Sequence, residues 1–293
     1  MPRDDLVTIG ESFEDLIFVD LPRLPGPGEE VKTGKFVRTI GGGAVITAIA
    51  GARLGLSCCV MSGLSQSAVS QLRAEGLAMK NLRRRGELSA LTAALSTKQD
   101  RAFVTFNGIN EVLEGRLFEP ARRLDSRHVH FAFYPKDCAR WVEVLEELSA
   151  RGISTSWDFG WNEGLIEDPG FLLLLGALDY VFMNDQETLL YSNKKDPQRA
   201  VEYWRKRTKN IVIKRGPKGC QWVTADSCLS EPAVKVKVVD TTGAGDAFNG
   251  GFLCGILTGL PERESLVLGN RVGGLSTQMA GGIDGLPRWD TVK

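Results

Sequence analysis

From about residue 128 onward, apolar strand-like runs alternate with helical stretches, and that alternation confines the chain to a narrow set of architectures. The run HVHFAF at 128–133 precedes a stretch in which Trp141, Leu145 and Leu148 fall on one helical face. Gly152 stops that helix, and ISTSW supplies the next strand. LDYVFM (178–183), a helix opening near Pro197 with Asp196 placed to cap it, and IVIK from Ile211 continue the series. Parallel strands need crossover helices, which then cover both faces of the sheet. The expectation is a three-layer α/β domain with a mainly parallel central sheet, and ligands should gather at the carboxyl ends of its strands.

The first hundred residues read differently. Alternating stretches at 16–21 and 31–40 flank the turn-rich LPRLPGPGEE, and a third candidate strand runs from Ala102 to Phe106. These form a small sheet projecting from the main body. Between them a helix spans about Ala44 to Leu54, directly after Gly41, Gly42 and Gly43. No repeat, long linker or low-complexity tract divides the 293 residues, so a single domain over 1–293 is expected, with the small sheet drawn from about 11–40 and 96–107.

Lys plus Arg equals Asp plus Glu at 36 each, so no global positive field exists to gather nucleic acid or an anionic membrane. Any charged ligand must be held locally. The six cysteines contain no CxxC pair and read as reduced thiols. No apolar run approaches the ~20 residues that cross a bilayer, and the N-terminus lacks a signal-peptide pattern, so a cytoplasmic protein is expected. His128 and His130 share a strand face but have no spaced partner for a metal site or a triad.

The chemistry concentrates in Asp240-Thr241-Thr242-Gly243-Ala244-Gly245-Asp246, which follows the alternating Val234–Val239 and opens a helix of small residues. Val234–Val239 reads as a strand. Glycines let the backbone approach a phosphate closely, while free amides and the positive end of the helix dipole favour its charge. Asp246 falls in the first helical turn, where it could take a proton from an attacking alcohol or merely stabilise the helix start.

The segment DTTGAGDAFNGGF resembles the C-terminal signature of the ribokinase-like (PfkB) carbohydrate kinases. That resemblance implies Asp246 as catalytic base and Gly243, Ala244 and Gly245 as donors of an anion hole. Other segments match in the family's order over essentially the whole chain. Asp15 looks like the aspartate that holds sugar hydroxyls, and Gly41, Gly42 and Gly43 resemble the N-terminal signature whose backbone contacts substrate. Asn184 and Glu187 match the family's NxxE element, which organises Mg²⁺ largely through water. Lys214, Gly216 and Gly219 resemble the nucleotide-side loop, and Asn270 aligns with a nucleotide-contacting position. Asp240 and Thr242 match positions that hold a monovalent cation in several members. A length difference near Gly281 and Gly282 leaves potassium (K⁺) dependence open.

Two departures stand out. The family pattern GGxxxNxA places a sugar-contacting Asn where this chain has Ile46, which disfavours ribose-like recognition because an unpaired polar group buried on binding costs ~1–3 kcal/mol. The turn after Val60 is shortened to MSGLSQSAVS. Asn107 is a candidate substrate contact; Asn110, Trp157, Asp158 and Trp161 could line the pocket or belong to ordinary loops and packing. The implied activity is ATP- and Mg²⁺-dependent phosphorylation of a hydroxyl on a small sugar, with the small sheet as a lid and a homodimer formed through it. A nucleoside kinase of the same family, and a non-catalytic binding protein on the same fold, are the alternatives.

Overall fold

The computed structural model describes residues 3–97 and 101–292. These residues contain thirteen strands: β1 (Asp4–Gly10), β2 (Phe13–Leu21), β3 (Lys35–Gly41), β4 (Cys58–Ser62), β5 (Ala78–Asn81), β6 (Leu91–Thr97), β7 (Arg101–Phe106), β8 (Ser126–Ala132), β9 (Ser154–Asp158), β10 (Tyr180–Asn184), β11 (Ile211–Lys214), β12 (Cys220–Val223) and β13 (Cys228–Glu231). Nine of them form one sheet in the order β13-β12-β11-β10-β9-β8-β1-β4-β5. From β11 to β5 every neighbouring pair is parallel, and β12 and β13 close one edge as antiparallel strands.

Two apolar cores, one on each face, make the third dimension. Helices Gly43–Arg53, Ala244–Thr258 and Glu262–Ser276 cover one face through Ile49, Phe252 and Val272, packed on Leu6, Val60 and Phe182. Helices Asn110–Arg122, Cys138–Ala150 and Pro197–Arg205 cover the other, where Trp141, Leu145 and Leu148 are buried as their spacing predicts. Asp137 and Asp196 accept amide hydrogens at the starts of their helices, the latter as expected. Trp157 stacks between Phe131 and Phe159, with ring centroids 4.4 and 5.2 Å away, and its indole N–H donates to the Phe133 carbonyl. This aromatic stack fixes the ends of β8 and β9 and places Trp157 in the core, not in a pocket.

The remaining four strands form a second sheet, β3-β2-β6-β7, in which only β2 and β6 run parallel. β6 begins at Leu91, ahead of the expected boundary at 96; its sequence LTAALST carries little of the apolar alternation that marks a strand. The other correction concerns Val234–Val239, which has no sheet partner. Val238 and Val239 are exposed, and the end of the segment is anchored by the Val239 and Asp240 amides on the Thr277 carbonyl.

Candidate active site

Three neighbouring parallel strands deliver Asp158, Asn184 and Lys214 side by side at their carboxyl ends. Against this row stands the helix Ala244–Thr258, opened by Gly243 with φ +71°. That helix carries Asp246 in its first turn, and it is held to helix Gly43–Arg53 by the Thr47 hydroxyl, which donates to the Asp246 carbonyl at 3.1 Å.

The glycine triplet that precedes helix Gly43–Arg53 runs between the functional carboxylates. A Cβ built on Gly41 would lie 2.2 Å from Asp15 Oδ2, and one on Gly43 would lie 2.9 Å from Asp246 Oδ1 and 2.8 Å from Ala132 Cβ. Between them Gly42, at φ +101°, turns the backbone over the Glu11 carbonyl. Any side chain at 41 or 43 would push on a carboxylate.

Among the described residues, no hydrogen bond occupies the amides of Gly243, Gly245 and Asp246. The Ala244 amide, in contrast, donates to the Thr241 carbonyl at 3.2 Å, closing the turn, which leaves Gly243, Gly245 and Asp246 as the open donors of the expected 243–246 set. The Asp246 carboxylate likewise makes no hydrogen bond among the described residues, and it faces a cavity of about 270 Å³ lined by Glu11, Gly43, Ala132, Phe133, Tyr134, Asp158, Phe159, Gly160 and Trp161. Burial raises the pKa of Asp246 to about 7, helped by the charges of Asp158 and Glu187 and opposed by Lys214. Although crowded by protein, Asp246 keeps part of its surface open to this cavity.

Lys214 is not a surface residue of the nucleotide loop. Its ammonium is buried, pairs with Asp158 Oδ2 and would lie 3.2 Å from a Cβ on Gly245. Burial works against its charge, but Asp158, Glu187 and Asp246 outweigh that and raise its pKa. Burial likewise pushes Asp158 up, yet Lys214 and the Asn249 amide, which donates at 2.6 Å, bring it below the usual carboxylate range. Behind Asp158 a polar seam follows: His130 and His128 both contact the Ser156 hydroxyl, at 2.8 and 2.7 Å. Burial lowers the His130 and His128 imidazoles to about 3 and about 4, so both are neutral at neutral pH.

Asn184 and Glu187 form a reciprocal capping box: the Asn184 amide donates to Glu187 Oε2 and the Glu187 amide to Asn184 Oδ1, each at 2.8 Å. Burial and the Asp158 charge raise the Glu187 pKa. No group of three ligating side chains able to hold a metal directly occurs among the described residues. Three carboxylates around one ammonium still leave excess negative charge, which suits a hydrated hard cation reached through water. Asp240 accepts from the Thr242 amide and hydroxyl at 2.9 and 2.8 Å and from the Gly281 amide at 2.9 Å, which ties the loop to the segment at Gly281.

The remaining candidates lie farther out. The Gly216–Gly219 turn closes on itself through the Arg215 amide and Gly219 carbonyl at 2.8 Å, and Arg215 and Lys218 reach Asp185, beside Asn184, at 3.3 and 3.9 Å. Asn270 donates to the Pro232 carbonyl. Asn107 is exposed, bonds Glu111 at 2.7 Å and lines a smaller cavity that shares Glu11, Phe133 and Tyr134 with the main cleft. Asn110 is buried with its amide 3.4 Å from the Ser12 carbonyl. Asp15 stands on the small sheet, its pKa raised to about 6 by burial and by Asp240. Ile46 is buried against Gly243 and Gly282 and does not line the cleft. Sequence reasoning missed Glu11 and Asn249; Glu11 is half-buried, raised to about 7 mainly by burial, and carries no local motif that marks it.

Known proteins resemble this chain in sequence and fold. The model of the pfkB family carbohydrate kinases matches residues 3–289. The uncharacterized sugar kinase YegV of Escherichia coli (strain K12) is 24% identical over 92% of this chain and 87% of its own. Among solved structures, the nucleoside kinase of Methanocaldococcus jannaschii, an archaeal member of the ribokinase family, superposes with a TM-score of 0.84 at 20% identity over 99% of this chain and 98% of that one. Arabidopsis thaliana ribokinase complexed with ribose and ATP does so with a TM-score of 0.80 at 21% identity, over the same shares. Likeness at that identity establishes the ribokinase fold, and the family match extends over nearly the whole chain: the protein belongs to the pfkB family of carbohydrate kinases.

Proposed function

We propose that the protein transfers the γ-phosphoryl group of ATP to a hydroxyl of a small sugar, with Asp246 as the base. The observation that carries this reading is the Asp246 carboxyl, free of hydrogen bonds among the described residues and set on a cleft wall beside unpaired helix-start amides. In the reaction Asp246 accepts the hydroxyl proton while the oxygen attacks the terminal phosphorus in line and ADP leaves. The amides of Gly243, Gly245 and Asp246 meet the charge on the phosphoryl oxygens, and the dipole of their helix adds to them. Lys214, held by Asp158, keeps a positive charge beside the loop. Asn184 and Glu187 would hold Mg²⁺ through water, where it would neutralise charge on the phosphates. The turn Gly216–Gly219 serves the nucleotide, with Asn270 supporting the segment at Pro232. No step is assigned to potassium.

Asp15 and the glycine triplet fall to the acceptor, and the small sheet serves as a lid that excludes water from the transfer. Its outer face exposes Phe36, Val104 and Phe106, which supports a homodimer formed through it. A cytoplasmic setting belongs to the same reading, since the six cysteines are all free. A second reading, a nucleoside acceptor, is favoured by Tyr134 and Trp161, two partly exposed rings on the cleft wall able to stack on a base. Thermal shifts with nucleosides against sugars separate the two.

The direct test is Asp246→Asn. Its melting temperature and nucleotide binding should match the parent, and sugar phosphorylation should fall by roughly 10²–10⁴-fold. Near-parental turnover would reject the assignment of the base.

A further inference from the structure

The wall of the Asp246 cleft combines acids with aromatic rings. Glu11, Asp158 and Asp246 line it together with Phe133, Tyr134 and Trp161, and no cationic side chain is among its described lining residues. The cations nearby bond other groups, although the Lys136 charge still acts on Glu11. Lys214 is buried behind the wall on Asp158. Lys136 donates to the Glu111 carbonyl at 3.2 Å and borders only the adjoining smaller cavity. Arg38 of the small sheet pairs with Glu14 at 2.7 Å. Glu11, in contrast, has no hydrogen bond or ion pair among the described residues and borders both cavities.

Carboxylates accept hydrogen bonds from hydroxyls well, and rings pack on the C–H face of a sugar or on a base; neither compensates a desolvated phosphate or carboxylate. We infer that the acceptor is an uncharged, polyhydroxylated molecule with an apolar or aromatic face, and that Glu11 is the side chain that turns away acceptors already carrying a phosphate or a carboxylate. This rests on the cleft being the acceptor site. A unit negative charge about 5 Å from another, at the effective dielectric of a partly buried site, loses on the order of 100-fold in affinity.

The test uses the full-length protein at pH 8, where Glu11 is ionised, with ATP consumption measured on matched pairs: a ketose and its 6-phosphate, an aldose and its aldonic acid, and a nucleoside and its 5′-phosphate. Thermal shifts with the same compounds read binding wherever turnover is low. Each preferred neutral compound should exceed its anionic partner by about 100-fold in kcat/KM, and Glu11→Gln should remove most of that gap through better use of the anion. An anionic acceptor used as well as its neutral partner by the wild type overturns the inference, whether or not the variant folds. So does an unchanged gap in a Glu11→Gln protein of parental melting temperature. Asp246→Asn run beside them separates the two levels: an anion-preferring activity that this substitution abolishes sinks only the inference, whereas activity that survives it sinks the cleft assignment as well.

Discussion

The proposed phosphate side and the proposed acceptor side of the cleft are built in opposite ways. On the phosphate side, one contiguous segment from Asp240 to Asp246 supplies a turn, free amides, a helix dipole and a carboxylate, nearly all of it from backbone. The acceptor side is assembled from single side chains far apart in sequence: Glu11 after β1, Tyr134 after β8 and Trp161 after β9. Backbone chemistry tolerates little change because a turn has few conformations, whereas side chains on separate strand ends can be exchanged one at a time. Transfer chemistry and acceptor choice are therefore separable in this fold.

The glycine triplet is where that separation can be broken most sharply, because it touches both sides. Gly43→Ala places a methyl group 2.9 Å from Asp246 Oδ1 and must displace the proposed base, so kcat should fall by on the order of 100-fold with KM little changed. Gly41→Ala meets Asp15 instead, at 2.2 Å, and should act mainly on the acceptor KM. Steady-state kinetics on both variants check this. Equal kcat losses from the two would mean that the triplet acts as one unit and that the two sides are not separable.

The same contrast explains what could be read from the sequence. The β-α alternation announced the large sheet because each crossover leaves its own periodic trace, and the segment carrying Asp246 and its glycines could be singled out because it is contiguous. Glu11 was not legible: an isolated carboxyl at a strand end acquires its meaning only when β8 and β9 bring Tyr134 and Trp161 to it. The contacts of Lys214 were not legible either: parallel pairing sets it beside Asn184, and its ammonium reaches Asp158 and lies close to Gly245. Val234–Val239 shows that alternation alone does not make a strand: the segment joins neither sheet although β13, just before it, is an edge strand.

A smaller effect tests the charge balance on the phosphate side. Asp246 must be ionised to accept a proton, and its pKa is raised to about 7, so kcat should fall as pH drops through that value, approaching about tenfold per unit on the acid limb. Lys214 lowers the Asp246 pKa, so Lys214→Met should carry this limb to higher pH; an unmoved limb would remove Lys214 from the electrostatics of the base. The variant also leaves Asp158 without its ion-pair partner in a buried place, which should cost about 3–5 kcal/mol of stability. Its pH profile is therefore read at a temperature where circular dichroism shows it folded.

The smallest effect concerns the boundary between the two sides. Ile46 occupies the position where the family pattern suggests a sugar contact, yet its Cδ1 lies against the phosphate loop, 2.6 Å from a Cβ built on Gly243 and 2.5 Å from one on Gly282. Ile46→Val removes that terminal methyl group and leaves a void beneath the loop. Stability should fall by about 1 kcal/mol, as for other buried Ile-to-Val changes, and kcat by no more than a few-fold. Because the loop serves every acceptor alike, the order of preference across a sugar panel should stay the same. A reordered panel would put the Ile46 side chain in contact with the acceptor, and the division between a backbone-built transfer side and a side-chain-built acceptor side would have to be redrawn at this residue.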